Sequence, residues 1–528
     1  MAPLPLPLAL CAAIAGALLL RAAFPDHGLW PLAPVGVALV LAGMRGRRAR
    51  GGFGLGFVAG LVFTLVHVQW TSEFLGPLPW AALSTLMALW WAAGGALMAL
   101  AWRRLGPGPG LVPLAIAGLW TLREGIASTW PYGGFAWGRV AQSQSDSPWV
   151  ELVSWVGPAG LGFALVWLAA LALELAHDRR RSALRRASIV LAAALVLALV
   201  PQWRTPTTGT TTVLAVQGDT PGASYFIPSE PGEILLAHAA ATALPPTVAA
   251  GTDPDAPIDL VLWPEGSVDV SPAWSAQAAA VLDDVAAAAG APVLANTVHV
   301  EGEWGAEGTE YFNTQFVWTP GPGWGDQYDK AHPIPFGEYV PDREFYERLA
   351  PDLIGLIQRE YTPGTRPNAL GLGGTGYGVF ICYDIVDDAL VRQAIAGGAE
   401  VLLAPTNNAD FGRTDESGQQ LATARLRAVE TSRAVVQAST VGWSAAYGPD
   451  GAELAAIDWY EPGAILVTVP TSTGSTPAVA AGRAIEVGLA GLGLALCLVG
   501  ARGRGAALGA RTTTAPAADG LHGAAEGR

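Results

Sequence analysis

Residues 377–384 read YGVFICYD, a short β-like run that leads into a cysteine, a tyrosine and an aspartate. A second run, IDLVLW at 258–263, is followed at once by PEGS at 264–267. Short apolar runs that are rich in β-branched and aromatic residues and bounded by Gly or Pro are typical of buried strands. Because α/β folds place reactive groups at the carboxyl ends of strands, Glu265 and Cys382 are candidate functional residues.

The region around these two runs alternates β-like and helical segments, which favours a layered α/β domain at about 205–475. The predicted strands are 211–217, 258–263, 292–297, 313–319, 377–382, 400–405, 434–440 and 464–469. The predicted helices are about 229–243, 272–289, 387–397 and 416–433.

Charge separates this domain from the rest of the chain. The 528 residues carry a formal charge of −14 and are only 14% charged, whereas soluble chains are usually about 25% charged. Residues 205–475 hold 10 basic and 34 acidic side chains, while residues 1–204 hold 15 arginines and 7 acidic side chains. The composition excludes an ordinary cytosolic enzyme and a disordered chain, and the acidic balance argues against nucleic acid as a partner.

Apolar runs of about the length that spans a bilayer fill both flanks of the acidic domain. We predict an α-helical transmembrane bundle of about eight spans, with seven spans in residues 1–204, an eighth at 476–500 and a disordered cytoplasmic tail at 501–528. The predicted spans are Leu4–Phe24, Leu29–Met44, Phe53–Trp70, Trp80–Trp102, Leu111–Thr129, Leu152–Leu175, Leu184–Val200 and Ala478–Val499.

Arginine clusters follow every second span, and these clusters predict the orientation. By the positive-inside rule both termini of this multi-pass membrane protein are cytoplasmic, and the α/β domain is extracytoplasmic. The clusters contain Arg45, Arg47, Arg48, Arg50, Arg103, Arg104, Arg179, Arg180, Arg181, Arg185, Arg186, Arg502 and Arg504. Arg123 and Glu124 interrupt the fifth span, and we interpret them as a structural pair at the membrane interface, with a substrate-facing role as the alternative.

Two residue types that are rare in this chain, lysine and cysteine, indicate candidate catalytic residues. Of the 30 basic residues 29 are arginine, so Lys330 is the single lysine, and Cys382 is the single cysteine of the acidic domain. A disulfide framework is excluded, because Cys11 and Cys497 lie in apolar runs. In a chain this rich in arginine, a single lysine suggests a position that arginine cannot fill. The planar guanidinium of arginine and the compact ammonium of lysine are not interchangeable.

These residues can be combined into one nucleophilic site. A thiol needs a base to form thiolate, and Glu265 can supply it. An addition intermediate needs a cation or donors at its oxyanion, which Lys330 and the Tyr383 N–H can supply. Each residue also has a structural interpretation, since a Glu after a strand is usually a solvated turn and a lone Cys is usually a small buried apolar residue.

The same residues carry a resemblance. The set Glu265, Lys330 and Cys382 resembles the Glu-Lys-Cys triad of the nitrilase superfamily, and Glu265 lies in a W-P-E-x-S motif. With seven predicted spans before the α/β domain and one after it, the chain resembles the bacterial apolipoprotein N-acyltransferase family over roughly residues 1–500. The motifs that carry this resemblance are K-x-H-x-x-P-F-G-E-Y-V-P at 330–341 and I-C-Y-D at 381–384.

The resemblance implies a nitrilase-like αββα sandwich for the extracytoplasmic domain and a location in the bacterial plasma (inner) membrane. It implies that Glu265 is the general base, Lys330 the oxyanion-stabilising residue and Cys382 the nucleophile. Glu338 matches a second glutamate that orients the lysine and the incoming amine. The supporting residues are Glu338, Tyr383 and Asp384, and Asp384 stands where the family often has glutamate.

The implied reaction is a ping-pong acyl transfer. A phospholipid donates a fatty acyl chain to the thiol, and the α-amino group of a diacylglyceryl-cysteine lipoprotein accepts it at the bilayer surface, with no metal, nucleotide or other cofactor. One alternative is a membrane-anchored carbon–nitrogen hydrolase (amidase), in which water resolves the thioester, and another is a non-catalytic membrane scaffold. A polyprenol-processing enzyme as partner is left open by the sequence.

Overall fold

The computed structural model describes residues 2–178, 180–220, 230–357 and 359–512. Arg179 of the third arginine cluster lies outside the described residues, and so do residues 513–528 of the predicted tail. Residues 501–512, where the sequence predicts the start of a disordered tail, continue the last helix instead. This helix therefore extends beyond the predicted end of the eighth span.

Before residue 205, all regular structure of the described residues is helical. Seven of the helices overlap the predicted spans with somewhat different bounds, and one short helix, α4, lies between two of them. The helices are α1 (Leu6–Ala22), α2 (Leu32–Met44), α3 (Ala49–His67), α4 (Thr71–Leu75), α5 (Pro77–Leu105), α6 (Leu111–Ala127), α7 (Val153–His177) and α8 (Ala183–Ala198).

Four helical segments among the described residues are long and apolar enough to cross a membrane, namely Ala49–His67, Pro77–Leu105, Val150–His177 and Pro477–Val499. The helices Leu6–Ala22 and Leu32–Met44 are apolar but shorter. At 1.5 Å per residue, the 17 residues of α1 extend about 25 Å, somewhat less than the hydrocarbon core of about 30 Å. The helices are therefore consistent with a membrane bundle.

Small residues allow the bundle helices to approach closely. A Cβ atom placed on Gly16 of α1 would lie 2.6 Å from the carbonyl oxygen of Gly36 in α2, and a Cβ on Gly36 would lie equally close to the Gly16 carbonyl. Only glycine fits at both positions. Such contacts between backbones are characteristic of helix packing in membranes, where apolar side chains gain little by leaving lipid.

The described residues of the acidic domain form two β-sheets. A seven-stranded sheet has the order β2-β13-β1-β3-β4-β5-β6, and a six-stranded sheet has the order β12-β11-β10-β9-β8-β7. The strands are β1 (Gly209–Gln217), β2 (Thr247–Val248), β3 (Leu260–Leu262), β4 (Val293–Glu301), β5 (Glu310–Thr319), β6 (Gly323–Asp329), β7 (Ala369–Leu372), β8 (Thr375–Val379), β9 (Val401–Thr406), β10 (Val435–Ser439), β11 (Ser444–Tyr447), β12 (Glu453–Ile457) and β13 (Gly463–Thr471).

The sheets pack face to face and helices cover both outer faces. One apolar core joins the sheets, with Val213 and Val467 from the first and Val379 and Val436 from the second. The outer cores lie against helices, and the described residues thus form the predicted αββα sandwich. The remaining helices are α9 (Glu233–Thr242), α10 (Ala276–Ala289), α11 (Arg343–Leu349), α12 (Pro351–Ile354), α13 (Asp388–Ala396), α14 (Asp415–Thr431) and α15 (Pro477–Thr512).

One strand prediction at the site was wrong at its end. The strand predicted over 377–382 stops at Val379, and Cys382 begins a short 3₁₀ turn, Cys382–Val386. The backbone of Cys382 has φ of 51°, a left-handed conformation that cannot continue a strand. The N–H of Ile381 donates to the Asp384 carboxylate at 3.1 Å, and this bond stabilises the turn.

Ion pairs join the bundle to the domain. Asp388 at the start of α13 accepts from Arg139 of the bundle at 2.7 Å and from Arg427 of α14 at 2.8 Å. Within the bundle, Arg123 and Glu124 pair at 3.0 Å, and both are buried. The guanidinium of Arg123 lies over the Trp91 ring, so the pair is enclosed by side chains of the bundle.

Candidate active site

Three sequence-predicted site residues follow three different strands and meet at one edge of the sandwich. Glu265 follows β3, Lys330 follows β6 and Cys382 follows β8. All three side chains are buried and line one cavity. The structure therefore brings together residues that are widely separated in the chain.

Lys330 is held between two carboxylates. Its ammonium nitrogen lies 3.2 Å from Glu265 Oε1 and 2.9 Å from Glu338 Oε2. Burial alone would lower the pKa of this lysine, but the charges of Glu265 and Glu338 outweigh burial and hold the pKa well above its usual value. Lys330 is only 1% exposed, so it is a fixed cation in the cavity wall.

The carboxylates are themselves fixed by amide donors that the sequence reasoning did not identify. Asn313 Nδ2 donates to Glu265 at 2.7 Å and to Glu338 at 3.0 Å. The backbone N–H of Asn407 donates to the second oxygen of Glu265 at 3.0 Å, and the N–H of Ile334 donates to Glu338 at 2.7 Å. The only sequence signal for Asn313 was its place at the start of the predicted strand 313–319.

Cys382 presents its thiol from the left-handed turn after β8. Its side chain is 6% exposed and lines the same cavity as Glu265. Burial raises the pKa of the thiol, the charge of Glu265 raises it further, and the charge of Lys330 lowers it. The thiol therefore keeps its proton at rest, and a base must remove that proton as the sulfur attacks.

Two neighbours of the cysteine have different structural roles. The Tyr383 hydroxyl accepts a hydrogen bond from the N–H of Ala136 at 2.9 Å, and its ring stacks on Trp137 of the bundle. The Asp384 carboxylate accepts from the Tyr328 hydroxyl at 2.8 Å. Burial raises the pKa of Asp384 to about 7, against the charge of nearby Lys330.

The cavity at this site has a volume of about 1760 Å³ and is lined by both the bundle and the α/β domain. That volume exceeds the roughly 300–1,000 Å³ of ordinary small-molecule pockets. Bundle side chains on its wall, such as Trp70, Leu83 and Trp90, are apolar. Several apolar side chains of the lining are more than half exposed, namely Leu78, Trp130, Trp274, Trp304 and Leu349. A large cavity with an apolar wall and a polar end suits a lipid ester.

Two family models match this chain. The model described as apolipoprotein N-acyltransferase N-terminal domain matches residues 16–171, and the carbon-nitrogen hydrolase model matches residues 227–478. The two matches divide the chain between the bundle and the sandwich domain.

Curated relatives match along most of the chain. The apolipoprotein N-acyltransferase of Mycolicibacterium smegmatis is 34% identical over 516 residues, covering 93% of this chain and 84% of that protein. That of Azotobacter vinelandii is 29% identical over 496 residues, covering 89% of this chain and 90% of that protein. A solved mutant of a Nesterenkonia amidase from the nitrilase superfamily is 21% identical, covers 50% of this chain and 92% of that chain, and has a TM-score of only 0.35.

Proposed function

The chain belongs to the apolipoprotein N-acyltransferase family, and we propose that it moves a fatty acyl chain from a phospholipid, through a thioester at Cys382, to the N-terminal amine of the diacylglyceryl-cysteine of lipoproteins. Family membership makes it a lipoprotein N-acylating enzyme of the nitrilase superfamily. One observation supports the finer proposal most strongly. The buried thiol shares a large cavity, walled by apolar side chains, with the Glu265–Lys330 pair.

In the first half-reaction Glu265 takes the proton from the Cys382 thiol as the sulfur attacks the acyl carbonyl carbon. The carbonyl oxygen becomes negative, and Lys330 and the N–H of Tyr383 stabilise that charge. The intermediate collapses by breaking the bond between the carbonyl carbon and the glycerol oxygen. The departing oxygen takes the proton from Glu265, which yields a lysophospholipid and a thioester.

In the second half-reaction the lipoprotein amine attacks the carbonyl carbon of the thioester. Glu265 accepts a proton from the amine nitrogen, and the bond between carbon and sulfur breaks to leave an amide. The thiolate then recovers a proton from Glu265, so the enzyme returns to its starting state. Glu338 keeps Lys330 in place through both steps, as its 2.9 Å contact indicates.

The membrane arrangement that suits this reaction has eight spans and an extracytoplasmic catalytic domain in a bacterial plasma membrane. The alternating arginine clusters of the loops support this orientation. The exposed apolar side chains of the cavity lining support an opening toward the bilayer, since both substrates are anchored in lipid.

The match to the carbon-nitrogen hydrolase model favours one rival, in which water resolves the thioester. Purified enzyme given phospholipid and a diacylglyceryl-cysteine peptide should convert the peptide to its amide, as followed by mass spectrometry. Cys382→Ala serves as the inactive control. Release of free fatty acid without amide would support the hydrolase, and an unmodified peptide with intact phospholipid would contradict both functions.

A further inference from the structure

A glutamine of α14 contacts the sulfur of Cys382. Gln420 is fully buried, and its Nε2 donates to Cys382 Sγ at 3.7 Å. A bond of this length to a neutral thiol is weak, but a donor so placed interacts more strongly once the sulfur becomes negative. None of the steps proposed above uses this residue.

The orientation of the Gln420 amide is fixed by its neighbours. Its Oε1 accepts from Thr406 Oγ1 at 2.8 Å and from Asn408 Nδ2 at 3.1 Å. If the amide were turned over, its NH₂ group would face the NH₂ group of Asn408. The amide oxygen is thus directed at two donors, and the NH₂ group is directed at the sulfur.

Asn408 is fixed in turn. Its Oδ1 accepts from Ser439 Oγ, and its Nδ2 also donates to Glu416 Oε2 at 2.5 Å. The bonds from Ser439 through Asn408 and Gln420 to Cys382 therefore all run in one direction and end on the sulfur. Hydrogen bonds that are aligned in this way polarise one another, and each strengthens the next.

We propose that Gln420 is a catalytic residue that donates a hydrogen bond to the thiolate of Cys382, and that Asn408 is a positioning residue that aims this donor. The proposal rests on the proposed function only in taking Cys382 as the nucleophile. A neutral donor offsets part of the cost of a buried thiolate without adding a second cation beside Lys330. The thiolate consequently forms more readily when Glu265 removes the proton.

The titratable groups that act on the sulfur are Glu265 after β3, Lys330 after β6 and Glu416 of α14. Burial raises the pKa of Glu416 to about 8 and the charge of Glu265 also raises it, although the bond from Asn408 opposes this. Glu416 is therefore largely neutral at neutral pH, and it adds little negative charge beside a thiolate. Gln420 is the α14 contact that favours the ionised form of the sulfur, whereas an ionised Glu416 opposes it.

Alkylation of Cys382 by iodoacetamide, without any lipid, tests the donor directly. The rate is read over a range of pH from the mass of the peptide that contains Cys382, so that Cys11 and Cys497 do not interfere. Gln420→Leu removes the donor, and Gln420→Glu replaces it with acceptor oxygens. Hydrogen bonds to charged groups stabilise them appreciably. We therefore expect both variants to be alkylated about 10- to 100-fold more slowly than wild-type protein at pH values below the thiol pKa, with the pH–rate profile shifted to higher pH.

Gln217→Glu is the matched control, because Gln217 is also fully buried and donates to the Asp458 and Glu461 carbonyls, away from the sulfur. It should leave the alkylation profile unchanged. Asn408→Asp should shift the profile in the same direction as Gln420→Leu, by a smaller amount. The proposal would be overturned if folded Gln420→Leu protein had the same alkylation profile as wild type. It would also be overturned if Gln217→Glu shifted the profile as much as the Gln420 variants do. Failure of acyl transfer in wild-type protein would contradict only the proposed function.

Discussion

The ammonium nitrogen of Lys330 lies 3.2 Å from Oε1 of Glu265, although the two residues are 65 positions apart in the chain. Glu338 contacts the same nitrogen from the following loop. The lysine is thereby held beside the candidate base and in the wall of the cavity that contains Cys382. A compact ammonium suits this position, because the surrounding residues leave almost none of the Lys330 side chain exposed.

Lys330→Arg keeps the positive charge but should misplace it, because the planar guanidinium is larger than the ammonium it replaces. Loss of one oxyanion donor typically costs about 10²–10³ in rate, and we expect a loss of that order in acyl-Cys382 formation. Rapid-quench mass spectrometry of protein mixed with phospholipid measures it. The exposed Arg348→Lys is the control and should react normally. A near-normal rate for Lys330→Arg would mean that this lysine has no oxyanion role.

Glu338→Gln should change the pH dependence of the same step. Two carboxylates hold the pKa of Lys330 above its usual value against burial, which alone would lower it. With one carboxylate removed, the pKa falls, and the ammonium is lost at a lower pH. The alkaline limb of the rate profile should therefore move to lower pH, while the acidic limb stays in place. An unchanged alkaline limb would show that Glu338 does not keep the lysine charged.

The catalytic candidates could be predicted from sequence because their residue types are rare. Lys330 is the single lysine, and Cys382 is the single cysteine of its domain. The amides Asn313 and Gln420 could not be predicted in the same way. Asn and Gln are common in sequence, and the contacts that orient these two depend on side chains from distant strands.

The sandwich architecture was largely predictable from sequence as well. Individual elements were mispredicted where the local residue pattern and the tertiary contacts favour different structures. Edge strand β6, GWGDQYD at Gly323–Asp329, has no apolar alternation and gave no strand signal. It forms because it pairs with β5 in register over most of its length. The turn at Cys382 was missed because the apolar run continues through Phe380 and Ile381, whereas the backbone leaves the sheet after Val379.

Asp384→Asn should reduce the pH dependence of stability. The pKa of Asp384 rises from an ordinary 3.8 to about 7 on folding, chiefly through burial, so the folded state binds more protons than the unfolded state between these values. Stability contributed by this group therefore falls as pH rises from about 4 to about 7. Asn cannot ionise, and its Oδ1 can still accept from Tyr328.

The apparent melting temperature in detergent, measured at several pH values, provides the test. Wild-type protein should lose more thermal stability than Asp384→Asn as pH rises through that window. The exposed Asp352→Asn is the control and should follow wild type. Identical curves for wild type and Asp384→Asn would show that the folded pKa of Asp384 is ordinary.

The orientation predicted from the arginine clusters can be tested with reporter fusions. Fusions after Arg181 and after Gln202 lie on either side of α8 (Ala183–Ala198). If α8 crosses the membrane, reporters that are active in only one compartment should give opposite results, with Arg181 cytoplasmic. The same compartment for both fusions would contradict the seven-span prediction for residues 1–204 and the extracytoplasmic placement of Cys382.

The most direct test of the central claim is the mass of the peptide that contains Cys382 after incubation with phospholipid and no acceptor. Wild-type protein should gain one fatty acyl chain on this peptide, and neutral hydroxylamine should release it, since thioesters are labile to that nucleophile. Cys382→Ser should trap little acyl group, because an alcohol ionises far less readily than a thiol of free pKa about 8.5. Glu265→Gln should also fail, because it lacks the base. If the lipoprotein amine is acylated while acyl-Cys382 never forms, the transfer is direct and the thioester mechanism is wrong.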